Sequence, residues 1–192
     1  MKRQRRQELW CWLLAALVLL LLAGGCSSKH KLVPGAPDWV NQGSGAFEDD
    51  GAKVFYGVGV VRGISSPSLS VQTADQRARA DVGRQLETYI SSLFKDYQSA
   101  STPTIGGVAV EEQHVEESLK AITQVSVRGS RVIDHWREPE SGTVYSLVRL
   151  DLEGVQASFV DMPEIESGLR DYLTGNADKA FDTLRLEEEK GR

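Results

Sequence analysis

Residues 71–97 read VQTADQRARADVGRQLETYISSLFKDY, and the fold turns on this stretch. Ala74, Ala78, Val82, Leu86, Tyr89, Ile90, Leu93, Phe94 and Tyr97 recur at three- and four-residue spacing. That period puts them in one stripe along a helix. Asp75, Arg77, Arg79, Asp81, Arg84 and Glu87 fall on the other face. The small side chains of Ala74 and Ala78 would let this end lie close against a sheet. Ser70 or Thr73 stands where an N-cap is needed.

Working outward, Val54 to Val61 is short and rich in β-branched and aromatic residues, so it reads as a strand. A Ser/Pro loop, 64–70, links it to the helix. Pro103, Gly106 and Gly107 end the helix within 99–107. A second helix is expected from Val110 to about Thr123, with Val115, Leu119 and Ile122 inward. Gln124 to Trp136 then alternates through Val125, Val127, Val132 and Trp136, with Gly129 marking a bulge or bend. Thr143 to Leu152 alternates again: Val144, Ser146, Val148 and Leu150 on one face, Tyr145, Leu147, Arg149 and Asp151 on the other. The intervening Pro139-Glu140-Ser141-Gly142 makes these two strands an antiparallel hairpin. After Leu152, Phe159, Ile165, Leu169, Tyr172, Leu173, Phe181 and Leu184 follow a loosely helical spacing, and Glu187 to Lys190 reads as a mobile charged tail. The expected architecture is α+β. A small antiparallel three-stranded sheet carries two helices on one face, in the order β-α-α-β-β, with a C-terminal helical segment added. The domain is expected over 37–152 and the extension over 153–192.

The first residues have a different character. Lys2, Arg3, Arg5 and Arg6 precede an uncharged run from Leu9 to Leu22. A permanent span needs about 20 apolar residues, so this run has the length of a signal-peptide core. Leu22-Ala23-Gly24-Gly25-Cys26 resembles a bacterial lipobox, with Ala23 where Leu is usual. Residues 1–25 are therefore expected to be a lipoprotein signal peptide cut between Gly25 and Cys26. Cys26 would then carry a diacylglycerol on its thiol and an acyl chain on its amine. Residues 26–36, with Pro34 and Gly35, form a polar tether of at most roughly 35 Å. Ser27 and Ser28 contain no Asp, which favours the outer membrane, on its periplasmic face.

Loss of the leader takes the net charge from −5 to −8, since it removes four basic side chains and Glu8. Such an acidic chain is a poor partner for nucleic acid. Cys11 leaves with the leader, so Cys26 has no disulfide partner within the chain.

The motifs that carry chemistry are weak. Gly57-Val58-Gly59-Val60-Val61-Arg62 begins like a dinucleotide fingerprint, but Arg62 replaces the third glycine and a Ser/Pro loop follows. His30, His114 and His135 fall on tether, helix and strand, with no metal-ligand spacing. His114 lies in Glu111-Glu112-Gln113-His114-Val115-Glu116-Glu117, a solvated acidic face. Asp134 and His135 are strand neighbours and point to opposite faces. No catalytic residue, metal or cofactor beyond the lipid on Cys26 is expected, and an enzyme is not.

Four segments occur in a familiar order: Pro37-Asp38-Trp39-Val40, Tyr56-Gly57-Val58-Gly59, Ala74-Asp75-Gln76-Arg77-Ala78-Arg79-Ala80, and Val144-Tyr145-Ser146-Leu147-Val148-Arg149-Leu150. Over residues 36–152 the chain resembles the bacterial LPP twenty-kDa-type outer-membrane lipoprotein family, which includes the flagellar assembly lipoprotein P. The resemblance implies an envelope lipoprotein without known catalytic residues and, in flagellar members, a structural part around the motor. The expected function is a structural or interaction module of the cell envelope, membrane-anchored by its lipid, with another envelope protein or copies of itself as partner. Trp39 and Trp136 are its candidate contact residues, although Trp39 reads first as packing at the domain edge. The alternatives are a periplasmic small-ligand or glycan-binding module and, ranked last, regulation of a cell-wall enzyme.

Overall fold

Two glycines on one strand determine how the layers meet. A Cβ added to Gly57 would lie 2.4 Å from the Ala78 carbonyl oxygen, and one on Gly59 would lie 1.9 Å from that of Ala74. The helix backbone therefore rests directly on the strand, which only glycine below and alanine above permit. The dinucleotide-like spacing of Gly57 and Gly59 thus serves packing.

The computed structural model describes residues 31–100, 112–161 and 165–191, and Gly35–Arg192 forms one compact unit. In chain order the elements are α1 (Asp38–Gln42), β1 (Gly45–Asp49), β2 (Ala52–Val61), α2 (Pro67–Ala100), α3 (Glu112–Arg128), β3 (Arg131–Arg137), β4 (Val144–Asp151), α4 (Leu152–Val160) and α5 (Ser167–Gly191). The sheet is antiparallel throughout, in the order β1-β2-β4-β3. The α+β class and the β3–β4 hairpin agree with the sequence reading. The three-stranded sheet does not.

The added strand is β1, which pairs Gly45 with Tyr56 through Asp49 with Ala52. Asp50 (φ 49°) and Gly51 (φ 78°) close this hairpin. Two consecutive positive φ values are what a primed turn needs, and Asp-Gly is among its commonest sequences. The second helix also runs past its expected end. Ile122 and Ser126 are buried, Val125 is exposed, and the helix reaches Arg128. The β-branched residues Val125 and Val127 imitate a strand, but the burial has a helical period. Gly129 belongs to the turn that follows, its N–H bonded to the Ser126 carbonyl.

Helix α2 starts one turn before the expected cap. Pro67 occupies the first helical position, where its fixed φ suits the helix. The Ser66 carbonyl accepts the Ser70 N–H at 2.9 Å, and the Ser66 hydroxyl accepts the Leu69 N–H at 3.4 Å. The expected stripe is buried from Ala74 to Phe94. It packs on Phe55, Val148 and Leu150 of the sheet and on Ile122 of α3. Leu169, Leu173, Ala177 and Phe181 of α5, read from the sequence as an extension, enter the same core. Phe55 joins the two sides, its ring edge-on to Tyr89 (5.4 Å) and Phe181 (5.1 Å). The buried Tyr89 hydroxyl donates to the Ala177 carbonyl at 2.7 Å, and burial pushes its phenol well above the usual range. The end of α5 is helical rather than loose. Its Glu188 carboxylate accepts the Ala46 N–H of β1 at 2.8 Å, closing part of a sheet edge.

Gly59→Ala should therefore destabilise by about 3 kcal/mol or more, because overpacking here means displacing backbone. Gly175, exposed in α5 with nothing within 4 Å of an added Cβ, should do the opposite. Gly175→Ala should stabilise by about 0.5–1 kcal/mol through helix propensity. Thermal unfolding of the two variants checks both signs.

Lys53 of β2 bonds Asp182 (2.9 Å) and Asp178 (3.1 Å) of α5. The hydrogen bond from Lys53 holds the Asp178 carboxyl below its usual value. An unfolded Asp titrates near about 3.9. The pair's contribution is thus intact above that pH and lost as pH falls through the depressed folded value. With the Asp178 side chain 68% exposed, solvent limits the effect to less than about 1 kcal/mol. Urea unfolding should show wild type more stable than Lys53→Met at neutral pH, with the gap closing towards pH 3.

Candidate interaction face

The register divides the sheet into two faces. Phe55, Gly57, Gly59 and Val61 of β2 face the helices, opposite Leu150, Val148, Ser146 and Val144 of β4. Tyr56, Val58 and Val60 point the other way, beside Arg149, Leu147 and Tyr145. This is the expected division of β4. Trp39 of α1 is bonded to this face, on which Val54 and Leu147 are buried and Val60 is exposed.

That face carries two aromatic pairs. Trp136 packs on Tyr145 with ring centroids 5.3 Å apart, and Phe47 on Tyr56 at 5.7 Å. The Trp39 indole N–H donates to Asp134 Oδ2 at 2.8 Å, pinning α1 to β3. Both candidate tryptophans are thus half-buried on the same face, 97 positions apart in the chain. For Trp39 the packing reading and the contact reading hold together: one ring edge is bonded and the remainder is partly open.

Regular alternation would put Val132 and Trp136 on one face, as the sequence reading had it. The strand carries a bulge between Val132 and Asp134, not at Gly129. One extra residue reverses the parity, so Val132 faces the helices and Trp136 the open side. The bulged Ile133 is 47% exposed at the sheet edge.

The charged groups on this face are paired with each other. Arg149 bonds Asp49 at 2.5 Å and Asp151 at 2.8 Å, and Arg131 reaches Asp151 at 3.1 Å. The Tyr56 hydroxyl donates to Asp49 at 2.7 Å. Burial, and then that hydrogen bond, push the Tyr56 phenol up.

On the helix-facing side, Asp75, His135 and Ser146 meet. Asp75 Oδ1 accepts from Ser146 Oγ and from His135 Nε2, each at 2.6 Å. These are the residue types of a hydrolase triad in another order. The carboxylate lies between the other two, so the imidazole does not reach the hydroxyl, and the serine is fully buried, so its oxygen has no access to a substrate. The arrangement clamps α2 to β3 and β4. Asp134 and His135 do point to opposite faces, as strand neighbours must.

The sequence places Asp75, Arg77 and Arg79 on the face of α2 opposite the apolar stripe. Arg77 is exposed there, yet its tip donates to the Val60 carbonyl, and half-buried Arg79 donates to the Ser130 carbonyl and hydroxyl, at 2.6–2.7 Å. Periodicity locates a Cβ, and long side chains reach around the helix from there. The same approach of α2 to the sheet that Gly59 permits brings Asp75 within reach of Ser146.

Gly25, Cys26 and His30, with the signal peptide and residues 26–30 of the tether, lie outside the described residues, as does the side chain of His114. The space between sheet and helices is filled by Phe55, Leu86, Tyr89, Val148 and Phe181, all fully buried. Two surface grooves lie among the described residues. One of about 310 Å³ runs between α2 and α5, beside Ser92, Asp96, Asn176 and Lys179. Another of about 510 Å³ lies beside Arg131, Asp151, Glu153 and Asp161.

Protein-family models give no match to the chain, and no curated protein matches it.

Asp75→Ala would leave the buried Ser146 hydroxyl without its carboxylate, at a cost of about 1–3 kcal/mol. Adding Ser146→Ala should recover part of that loss. Chemical denaturation of the four combinations measures the coupling, and strict additivity would show that Asp75 does not hold Ser146.

Proposed function

We propose that the chain is an outer-membrane-anchored lipoprotein, fixed through Cys26, whose folded body is a structural or interaction module of the cell envelope. The observation that carries this reading is the sheet face turned away from the core helices, on which Trp39 and Trp136 sit half-buried beside Tyr145 and Val60 is exposed, while the apolar side chains of the other face lie in the core. Soluble single domains cover or charge such surfaces unless something docks there. Aromatic residues concentrated in one patch are the usual anchors of protein contacts. The lipid on Cys26 is supported by the order of basic start, uncharged run, small residues and cysteine. A place in flagellar assembly is the narrowest form of the proposal and rests on the four resembling segments alone.

A small-ligand or glycan-binding role is the alternative. With the interior filled, such a ligand would have to use a surface groove.

Radiolabelled palmitate should enter the wild-type chain and not Cys26→Ala, and the wild type should fractionate with the outer membrane. Crosslinking in living cells, with an affinity tag after Arg192, should then recover envelope proteins or ladders of the chain itself. Efficient crosslinking that returns monomer alone would overturn the interaction reading and favour the ligand-binding one.

A further inference from the structure

The chain has four tryptophans. Trp10 and Trp12 lie in the leader, so the mature chain keeps only Trp39 and Trp136, and both are on the open face of the sheet. Trp39 follows the lipid-bearing Cys26 by 13 positions, and the folded unit begins at Gly35. Nine residues of extended chain span at most about 30 Å, so the body has little room to leave the bilayer surface. The tether joins the body through α1, and α1 is the element bonded onto this face.

We propose that the open face is a second membrane contact, resting on the headgroup–acyl boundary of the leaflet that holds the lipid of Cys26. The proposal rests on the lipoprotein reading above and goes beyond it. Trp and Tyr suit that boundary, since each offers an apolar ring and one hydrogen-bonding tip. Trp39, Trp136 and Tyr145 lie together there. Val60 (41% exposed) is directly opposite Tyr145, and Ile133 is at the strand edge. Most of the charge on the face is paired. Arg149 and Arg131 are bonded to Asp49 and Asp151, which leaves Asp134, bonded by the Trp39 N–H, and Glu138 near Tyr145 as the carboxylates that the contact must keep in water. Partial desolvation of paired groups costs far less than that of isolated ions.

The mature net charge of −8 keeps the body off anionic lipid, so a zwitterionic surface is the partner. A short tether holds the face at an effective concentration on the order of millimolar, so contact too weak to recruit a free domain is enough once the lipid is inserted.

The test is tryptophan quenching in the lipidated mature protein, reconstituted into phosphatidylcholine vesicles with brominated acyl chains. Flotation of the same sample reports the anchor separately. The expected result is a protein that floats and whose emission shifts to the blue and drops roughly two-fold or more against unbrominated lipid. Trp39→Phe and Trp136→Phe should each leave the remaining tryptophan quenched. Val60→Glu places a charge on the exposed face and should abolish quenching while flotation and circular dichroism are unchanged. A chain that floats with unquenched tryptophans overturns the proposal and leaves the anchor standing. So does quenching that Val60→Glu does not reduce. Crosslinks between copies through Trp136 neighbours, with the tryptophans unquenched, would reassign the face to self-association. A mature chain that does not float overturns the anchor reading and the proposal together.

Discussion

The contact of β2 with α2, backbone against backbone at Gly57 and Gly59, is what the rest of the structure depends on. It sets the height of the helix above the sheet. At that height Phe55 and Leu86 interleave, Tyr89 reaches the Ala177 carbonyl of α5, and Asp75 reaches Ser146 and His135. A side chain at either glycine would lift the helix and disturb all of these together. Dense packing leaves no soft route around such a change, because cores transmit displacement.

The consequence is a sheet with two unlike faces. One is covered by a long helix whose apolar stripe is buried and whose polar side chains Arg77, Arg79 and Gln85 bond carbonyls at the sheet edge and the following turn. The other has the five-residue helix α1 bonded to it through Trp39 and carries half-buried rings. Stability and contact are thus separated by the thickness of one strand. Substitutions at Tyr145 or Trp136 touch the open face alone, whereas their neighbours Ser146 and His135 belong to the clamp.

Much of this was legible in the sequence, for physical reasons. The stripe of α2 is long, and each turn repeats the same signal, so its period outweighs local exceptions. The alternation of β4 is equally plain, because one of its faces is dry and the other is not. Three features were obscured. Strand β1 contains Gly45, Glu48 and Asp49, poor strand residues that are held by pairing and by Glu188 rather than by propensity. Its Asp50-Gly51 turn was the readable sign. The end of α3 has β-branched residues whose packing, not their type, decides the state. The bulge at Ile133 was the third, and it mattered most for the site: one extra residue moved Trp136 from the helix side to the open side. The gathering of Trp39, Trp136 and Tyr145 follows from register, which a single sequence does not spell out across 97 positions.

How much affinity the open face must supply depends on the proposed anchor. Burial of acyl chains contributes about 0.8 kcal/mol per methylene, so lipid on Cys26 alone would hold the chain at the membrane. Whatever meets the face then meets it within one molecule's reach, and the entropy of bringing the partners together has already been lost at insertion. Under that condition natural contacts need not be large or strongly apolar. A few half-buried rings, set among largely paired charges, are sufficient to orient the body. A strongly hydrophobic face, by contrast, would expose the precursor to aggregation before the lipid is attached. The moderate exposure of Trp39 and Trp136 would suit the proposed anchored module, because orientation is the one thing a lipid anchor does not provide.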